Sequence, residues 1–278
     1  MKVLNQFRKI DLIKVMHLIL QTYNEKNKDR LDEIEYCLLS NLDNSNVTML
    51  HNLYEDSDDY LDVSIRTHQK YKGIKQEKWL TFKKAFDYCN VNLPGQMCAI
   101  INNDIMIDEK KWNIKIEDKF VFALSRHEFD IVTETGSLDV NFNQLFHSHT
   151  QDMWIFNAPL EVKNCDFEIG ILGCDNAIAD RISKSGYRLL NSPETFKIFH
   201  LDAVRGKTSN NFLDKHTERK VVQKFPEKEG YYLLPNFDKV SQLSFDEILK
   251  MFSFSDLDRY ELICNIITSR VKIENKTT

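Results

Sequence analysis

The sequence predicts an α/β fold in which helices flank a mainly parallel central sheet. Its 278 residues are 42% hydrophobic, so the chain can bury one large core. The first elements along the chain occur in the order strand, helix, strand, which favours a right-handed crossover between parallel strands. The apolar run Met97–Ile101 is typical of a strand that is buried on both faces, as in a parallel sheet.

Three segments predict the first strand–helix–strand unit. Leu12–Tyr23 is mostly apolar and indicates a buried strand with its exit loop. Apolar residues at helical spacing from Leu31 to Leu42 predict a helix, with Asp29 as its N-cap. Val47–Tyr54 alternates between apolar and polar residues, which indicates the second strand.

The remaining elements follow from the same periodicities. They are a helix over Trp79–Cys89, strands over Phe120–Ser125 and Gln151–Phe156, a helix over Asp175–Lys184 that ends at Gly186, and short strands over Tyr187–Leu190 and Phe196–Leu201. Residues 205–229 are polar without periodicity, which indicates a mobile loop or lid. Residues 244–271 predict a helical extension. We therefore expect one main domain over residues 1–205, with residues 206–278 packed on it.

The composition excludes several classes of protein. The net charge of −5 disfavours a nucleic-acid-binding role, which usually needs a basic surplus. The N-terminus lacks the apolar segment of a signal peptide, and no apolar run approaches the roughly 20 residues that cross a bilayer. We therefore expect a cytoplasmic protein without a transmembrane segment, in which membrane association is at most peripheral. The cysteines form no Cys-x-x-Cys pair and are expected to be buried thiols: Cys37, Cys89, Cys98, Cys165, Cys174 and Cys264.

Several common catalytic motifs are missing from the sequence. It has no Gly-x-Gly-x-x-Gly and no P-loop motif, which disfavours dinucleotide oxidoreductases and P-loop enzymes. It also has no Gly-x-Ser-x-Gly motif, which disfavours a serine hydrolase.

Polar side chains follow the apolar run Met97–Ile101 at once. Asn102, Asn103 and Asp104 come where a parallel strand ends, which is the ligand-binding edge of such a sheet. A carboxylate there can hold a divalent cation against a diphosphate. The alternative is a simple turn, since Asn-Asn-Asp is also good turn chemistry.

Three other residues are candidates for chemistry. Asp175 opens a predicted helix, so it is either an N-cap or a general base beside a cleft. Asp152 precedes an apolar strand and could bind acceptor hydroxyls or serve as a rival base. His200 could be a metal ligand or a satisfied core residue, whereas His147 and His149 lie in a polar segment and are interpreted as loop residues.

In their order along the chain, these segments resemble a GT-A-type glycosyltransferase of the small kind found in bacteria and large DNA viruses. The resemblance covers about Val15 to Lys207. It is carried by Thr22-Tyr23-Asn24, Asp29–Ile34 with Asn41-Leu42, Asn102–Asp108, Ala123–Arg126, Gln151–Phe156, Gly173–Asn176, Gly186-Tyr187, Asn191–Pro193 and His200. One departure stands out, because Asn102 occupies the place of the first acid in the family's Asp-x-Asp motif.

The resemblance implies a GT-A-like, Rossmann-type fold and a role for each candidate. Asp104 and His200 would bind a divalent cation, Mn²⁺ or Mg²⁺, and Asp175 would be the catalytic base, with Asp152 orienting the acceptor. The residues expected to contact the nucleotide-sugar donor are Thr22, Tyr23, Asn24, Arg30, Glu55, Lys78, Asn102, Asn103 and Asp104. The 205–229 segment would close over the donor.

The implied function is transfer of a sugar from a nucleotide-sugar donor to a hydroxyl of a carbohydrate or glycoconjugate acceptor, with inversion. Two alternatives stay open. A sugar-phosphate nucleotidyltransferase usually carries a Gly-rich, basic loop after the first strand, which Gln21–Asn24 is not. A non-catalytic sugar-nucleotide or carbohydrate-binding module would keep the fold without the chemistry.

Overall fold

The structure is a computed structural model, and it describes residues 15–114, 116, 119–130, 135–138, 151–171 and 173–206. The predicted helical extension and nearly all of the predicted lid lie outside these residues, as do His147 and His149. The prediction of a second unit over residues 206–278 therefore stays a prediction.

The described elements alternate between strands and helices along most of the chain. They are β1 (Met16–Leu20), α1 (Lys28–Asp43), β2 (Val47–Tyr54), α2 (Val63–Arg66), β3 (Tyr71–Lys75), α3 (Phe82–Asn92), β4 (Met97–Ile101), β5 (Ile105–Ile107), β6 (Phe120–Ser125), β7 (His127–Asp130), β8 (Thr135–Leu138), β9 (Gln151–Asn157), α4 (Cys174–Lys184), β10 (Arg188–Leu190), β11 (Ile198–His200) and α5 (Ala203–Gly206).

Helix α1 begins one turn earlier than its apolar periodicity alone suggests. Its N-cap is Asn27, whose side chain accepts hydrogen bonds from the backbone N–H groups of Asp29 and Arg30. The prediction that Asp29 is the cap is therefore wrong. Asp29 lies instead in the first turn, where a negative charge favours the positive end of the helix dipole.

Seven strands form a large sheet in the order β10-β6-β9-β4-β1-β2-β3. Strands β4, β1, β2 and β3 pair in parallel, as do β10 and β6. Strand β9 runs antiparallel between β4 and β6. The predicted α/β fold with a mainly parallel central sheet is confirmed.

Four strands form a smaller sheet in the order β5-β11-β7-β8. Strand β5 follows β4 after the turn at residues 102–104, and β7 follows β6 with only Arg126 between them. The chain thus passes from the large sheet to the small one at two points. Strand β11 lies between β5 and β7, and its His200 pairs with Ile105 on one side and with Glu128 on the other.

The two faces of the large sheet bury separate apolar clusters. Leu18 and Leu20 of β1 pack in the cluster that includes α1, whereas Ile19 packs in the cluster that includes α3 and α4. This division follows from the alternation of side chains along a strand. Trp154 of β9 is fully buried and meets Phe82 with the ring centroids 5.1 Å apart. The apolar run after Asp152 is therefore core, as predicted.

The cysteines of the described residues are free and buried, which agrees with the sequence analysis. Burial raises the pKa of the Cys37 and Cys174 thiols well above the usual range. Within the described part of the chain, no helix is both long enough and apolar enough to cross a membrane.

The side chain of Asn41 joins helix α1 to the edge of the small sheet. Its Nδ2 donates to the carbonyl oxygen of Ile105 at 2.7 Å, and its Oδ1 accepts from the N–H of Ile107 at 2.9 Å. Asn41 is 1% exposed. The side chain therefore satisfies both backbone groups on the free edge of β5, which would otherwise be unpaired.

We expect Asn41→Ala to lower the free energy of unfolding by about 2–4 kcal/mol, because it leaves a buried N–H and a buried carbonyl without a hydrogen-bond partner. Urea denaturation of the two proteins measures this difference. Asn92→Ala is the matched control, because the Asn92 side chain is exposed and donates only to its own helix, at the Tyr88 carbonyl oxygen. A cost for Asn41→Ala no larger than that of the control would contradict the role of Asn41.

Candidate functional site

The candidate site lies at the edge of the large sheet where its parallel strands end. From β1 the chain builds β2 and β3 on one side and later adds β4 on the other, so the topological switch point lies between β1 and β4. Thr22 follows β1, and Asn102 and Asp104 follow β4. The structure therefore brings these predicted residues to the same edge.

Asp104 lies in the turn between β4 and β5 and is 7% exposed. Its Oδ2 forms an ion pair with Nη2 of Arg30, from helix α1. The Arg30 guanidinium also pairs with Glu33 at 2.8 Å and with Asp202 at 3.4 Å. Burial opposes the charge on Arg30, but Asp104 and these other partners outweigh it and raise the pKa of Arg30 further. Arg30, a predicted donor contact, is thus enclosed among carboxylates.

His200 lies on the other side of Asp104. Its Nε2 is 3.5 Å from Asp104 Oδ2, and its Nδ1 is 2.8 Å from Glu128 Oε2. Burial disfavours the imidazolium, but Asp104 and Glu128 outweigh burial and raise the pKa of His200 to about 9. His200 is therefore protonated at neutral pH. Asp104 and His200 thus lie side by side, and their metal role stays a prediction.

The described side chains do not form a complete site for a divalent cation. Arg30 faces three carboxylates, Glu33, Asp104 and Asp202, so the surplus of negative charge would attract a cation. The ligand geometry is incomplete, however, because Arg30 already occupies the Asp104 oxygen. Within the described residues, no group of three or more His, Cys, Asp and Glu side chains is arranged to hold a metal ion.

Asp152 lies on β9, next to the turn that carries Asp104. The Asn102 amide donates to Asp152 Oδ1 at 2.7 Å, and Arg126 Nη1 pairs with Asp152 Oδ2 at 3.2 Å. Arg126 Nε in turn donates to Glu128 at 2.8 Å. Asn102 therefore serves as a donor to a carboxylate, where the family's first acid would offer an oxygen.

Asp175 lies in the first turn of α4. The N-cap of this helix is Gly173, with a φ of 86° that glycine adopts without strain, so the prediction that Asp175 is the cap is wrong. Cys174 Sγ donates to Asp175 Oδ1 at 3.2 Å. Burial of the carboxyl group, and then the charge of Asp152, raise the pKa of Asp175 well above its usual range. A carboxylate of raised pKa is a stronger base, as proton abstraction near neutral pH requires.

Thr22 belongs to a hydrogen-bonded polar pocket beyond β1 and β2. Its Oγ1 accepts from Asn52 Nδ2 at 2.8 Å and from the Tyr60 hydroxyl at 2.6 Å. Asn52 Nδ2 also donates to the Tyr71 hydroxyl at 2.9 Å, and that hydroxyl donates to Asp58 at 2.7 Å. Asn52 is fully buried, so this network holds the exit of β1 against the segment after β2.

The other predicted donor residues differ in their surroundings. Tyr23 lies beside Trp79, with the ring centroids 5.8 Å apart, and Asn103 donates to the Gln21 carbonyl oxygen at 3.1 Å. Asn24 and Lys78 are exposed and Glu55 is half-buried. Within the described residues, no hydrogen bond or ion pair ties Glu55 or Lys78 to this pocket, and their role stays a prediction.

The sequence analysis missed several residues of the site. Asn52 could have been found from the sequence, because an amide side chain inside an otherwise apolar strand needs buried hydrogen-bond partners. Arg126 and Glu128 followed the end of β6 without an assigned role. Asp202 had no signal of its own, because nothing local distinguishes it from a surface acid near a strand end.

Comparison with known proteins gives limited similarity. No protein-family model matches the sequence, and none of the curated proteins does. Among solved structures, the chain is similar to a mannosyltransferase from Pyrobaculum calidifontis in complex with GDP-mannose and Mn²⁺, with 16% identity and a TM-score of 0.43 over 68% of this chain and 56% of that one. It is also similar to a protein assigned as a glucose-1-phosphate thymidylyltransferase from Bacillus anthracis in complex with sucrose, with 9% identity and a TM-score of 0.40 over 64% of this chain and 86% of that one. Values this low show no shared activity.

The raised pKa of His200 should make stability depend on pH. Its folded pKa of about 9 lies above the ordinary value of 6.5, so its contribution is complete below pH 6.5 and is lost as the pH rises through 9. We expect a loss of roughly 2–3 kcal/mol from this group over that window. Urea denaturation at several pH values measures it.

The variant His200→Gln removes the titrating group, and its free energy of unfolding should fall less than that of the wild type between pH 6.5 and pH 9.5. His68→Gln is the matched control, because His68 is a partly exposed histidine outside the site, paired with Asp43 at 3.5 Å. Parallel pH curves for wild type and His200→Gln would contradict the assignment.

Proposed function

We propose that this chain is a glycosyltransferase that moves a sugar from a nucleotide-sugar donor to a hydroxyl of a carbohydrate or glycoconjugate acceptor. The observation that carries the proposal is the buried Asp175 carboxyl group, whose pKa is raised by burial and by the charge of Asp152. Asp152 itself contacts Asn102 and Arg126, which follow strands of the large sheet. The resemblance of the sequence motifs to GT-A-type enzymes points to the same reaction.

The polar pocket around Thr22 is the proposed nucleoside subsite. It lies beside the end of β1, next to the topological switch point between β1 and β4, where open α/β sheets bind nucleotides. Asn52 holds Thr22 in place by accepting from its backbone N–H at 2.9 Å and donating to its hydroxyl. The Tyr60 and Tyr71 hydroxyls extend the same network, so these side chains are held in place before a ligand binds.

The proposed reaction is a single displacement at the anomeric carbon of the donor sugar. The acceptor oxygen forms a bond to that carbon as the bond to the diphosphate oxygen breaks. The Asp175 carboxylate takes the proton of the acceptor hydroxyl, and the nucleoside diphosphate leaves with the electron pair. Asp152 accepts hydrogen bonds from acceptor hydroxyls and keeps a negative charge near Asp175. Asp104 and His200 are the residues that would hold a divalent cation, and a bound cation would neutralise the charge of the departing diphosphate.

A nucleotidyltransferase reaction is less well supported by the same pocket. Such an enzyme needs a flexible basic loop after the first strand to wrap a triphosphate. Here the backbone N–H and the hydroxyl of Thr22 are already engaged by Asn52. The segment after β1 is therefore held rather than free to wrap.

A donor screen tests the proposed function. Thermal unfolding is measured with UDP-, GDP-, dTDP- and CMP-sugars, each with Mn²⁺ and with EDTA, because a ligand at 100 times its Kd stabilises by about 2.7 kcal/mol. At least one nucleotide sugar should raise Tm and release its nucleotide when an acceptor is added. Pyrophosphate release from a nucleoside triphosphate and a sugar 1-phosphate would favour the nucleotidyltransferase instead. Binding of a nucleotide sugar without any turnover would favour the non-catalytic binding module.

We expect Asp175→Asn to lower the transfer rate about 10²- to 10⁴-fold, which is the usual contribution of a general base, and to leave donor affinity nearly unchanged. Asp87→Asn is the matched control, because Asp87 is an exposed acid on α3 that pairs with Lys83. Turnover of Asp175→Asn within a few-fold of wild type would remove Asp175 from the base role.

The variant Asp152→Asn separates the two acids. It removes the negative charge that raises the pKa of Asp175, so the rise of kcat/KM with pH should shift to lower pH. If Asp152 were the base, the variant would lose that rise altogether. The pH dependence of kcat/KM from pH 5 to pH 9 distinguishes the two results.

A further inference from the structure

Three cations belong to the charged cluster of the site, and they differ in how much of each is accessible. The side chains of Arg30 and His200 are 3% and 6% exposed. The Arg126 side chain is 24% exposed. Arg126 is thus the cation of this cluster, within the described residues, that a ligand in the cleft can reach.

Among the described residues, the partners of Arg126 leave one edge of its guanidinium open. Nε donates to Glu128 at 2.8 Å, and Nη1 donates to Asp152 at 3.2 Å. No described residue accepts a hydrogen bond from Nη2. The contacts at Nε and Nη1 fix the orientation of the guanidinium. The N–H groups of Nη2 therefore point in a fixed direction, from which they can donate hydrogen bonds to an oxyanion.

The local charge balance also favours an anion at Arg126 over one at Asp104. Arg126 faces two carboxylates, Asp152 and Glu128. Around Asp104, by contrast, Arg30 faces three carboxylates. An incoming anion is repelled less on the Arg126 side of the cluster.

We propose that Arg126 binds the diphosphate of the donor, and of the nucleoside diphosphate product, through the open edge of its guanidinium. The identity of the ligand rests on the proposed function. The position supports it, because Arg126 follows β6 directly and reaches Asp152 on the neighbouring β9, at the edge that also carries Asp104. In this place Arg126 neutralises the charge that gathers on the leaving group as the bond to the sugar breaks.

Calorimetric titration in EDTA tests the proposal with UDP, GDP, dTDP and CDP, inorganic pyrophosphate and the corresponding nucleosides as probes. Arg126→Gln should weaken binding of the diphosphates and pyrophosphate about tenfold to hundredfold, since hydrogen bonds to charged groups are lost. It should leave nucleoside binding unchanged. Arg126→Lys should recover part of the affinity, because a lysine keeps the charge but not the planar fork.

Arg188→Gln is the matched control. Arg188 is a partly exposed arginine of the same sheet, but it pairs with Phe120 at the start of β6, the opposite end of that strand from Arg126. The control should bind every probe as the wild type does. If Arg126→Gln does not fold, Arg126→Lys alone decides, with an expected loss of about threefold to tenfold for diphosphates and none for nucleosides.

Each other outcome overturns the proposal. If Arg126→Gln binds the diphosphates with the affinity of the wild type, Arg126 does not contact them. An equal loss of nucleosides and diphosphates assigns Arg126 a merely structural role. If the wild type binds none of the probes, Arg126 forms no diphosphate site. The failure of the proposed function can be distinguished from the failure of this proposal. If Arg126 binds diphosphates but the protein transfers no sugar, only the proposed function is contradicted. If the protein transfers sugar and Arg126→Gln binds diphosphates as the wild type does, only the Arg126 contact is contradicted.

Discussion

The buried ion pair between Arg30 and Asp104 is the interaction on which the rest of the site depends. Arg30 sits on α1, Asp104 lies in the turn between the two sheets, and Arg30 Nη1 also donates to the Leu201 carbonyl oxygen at 2.7 Å. One guanidinium thus joins a helix, a turn and the segment after β11. Burying both charges costs several kcal/mol per ion, so the net stabilisation is small. Removing one partner alone is severe, at roughly 3–5 kcal/mol, because the other charge stays buried.

From that pair, charges of alternating sign continue across the boundary between the sheets. Asp104 contacts His200, His200 contacts Glu128, Glu128 contacts Arg126, and Arg126 contacts Asp152, with separations between 2.8 and 3.5 Å. Opposite charges at this spacing in a partly buried setting hold one another in place. The described side chains are therefore largely committed to one another. A ligand must either displace one of these ion-pair partners or bind to an edge of a guanidinium group that no described residue occupies.

The two acids proposed for acceptor chemistry occupy different environments, although they lie near each other. Asp152 receives an amide hydrogen bond from Asn102 and forms an ion pair with Arg126. Among the described residues, Asp175 receives the weak donor Cys174 Sγ, and burial together with Asp152 raises its pKa. Under the proposed function, these two environments suit different roles. Asp152 would orient the acceptor, and Asp175, as the stronger base, would take the proton.

The sequence by itself determined the three long helices and six of the seven strands of the large sheet, because side-chain periodicity is a local property. It did not predict β3, nor β5, β7 and β8 of the small sheet. The bounds of β2 and β6 agree with the predicted segments, and the candidate acids and His200 do gather near one sheet edge. The tertiary structure alone decided the caps and the charge partners. Asn27 and Gly173 cap their helices because the path of the preceding loop decides at which residue the first helical turn begins. Likewise Arg30 pairs with Asp104, 74 residues away, because a charge is satisfied by whatever lies within a few ångströms, and no local pattern records that distance.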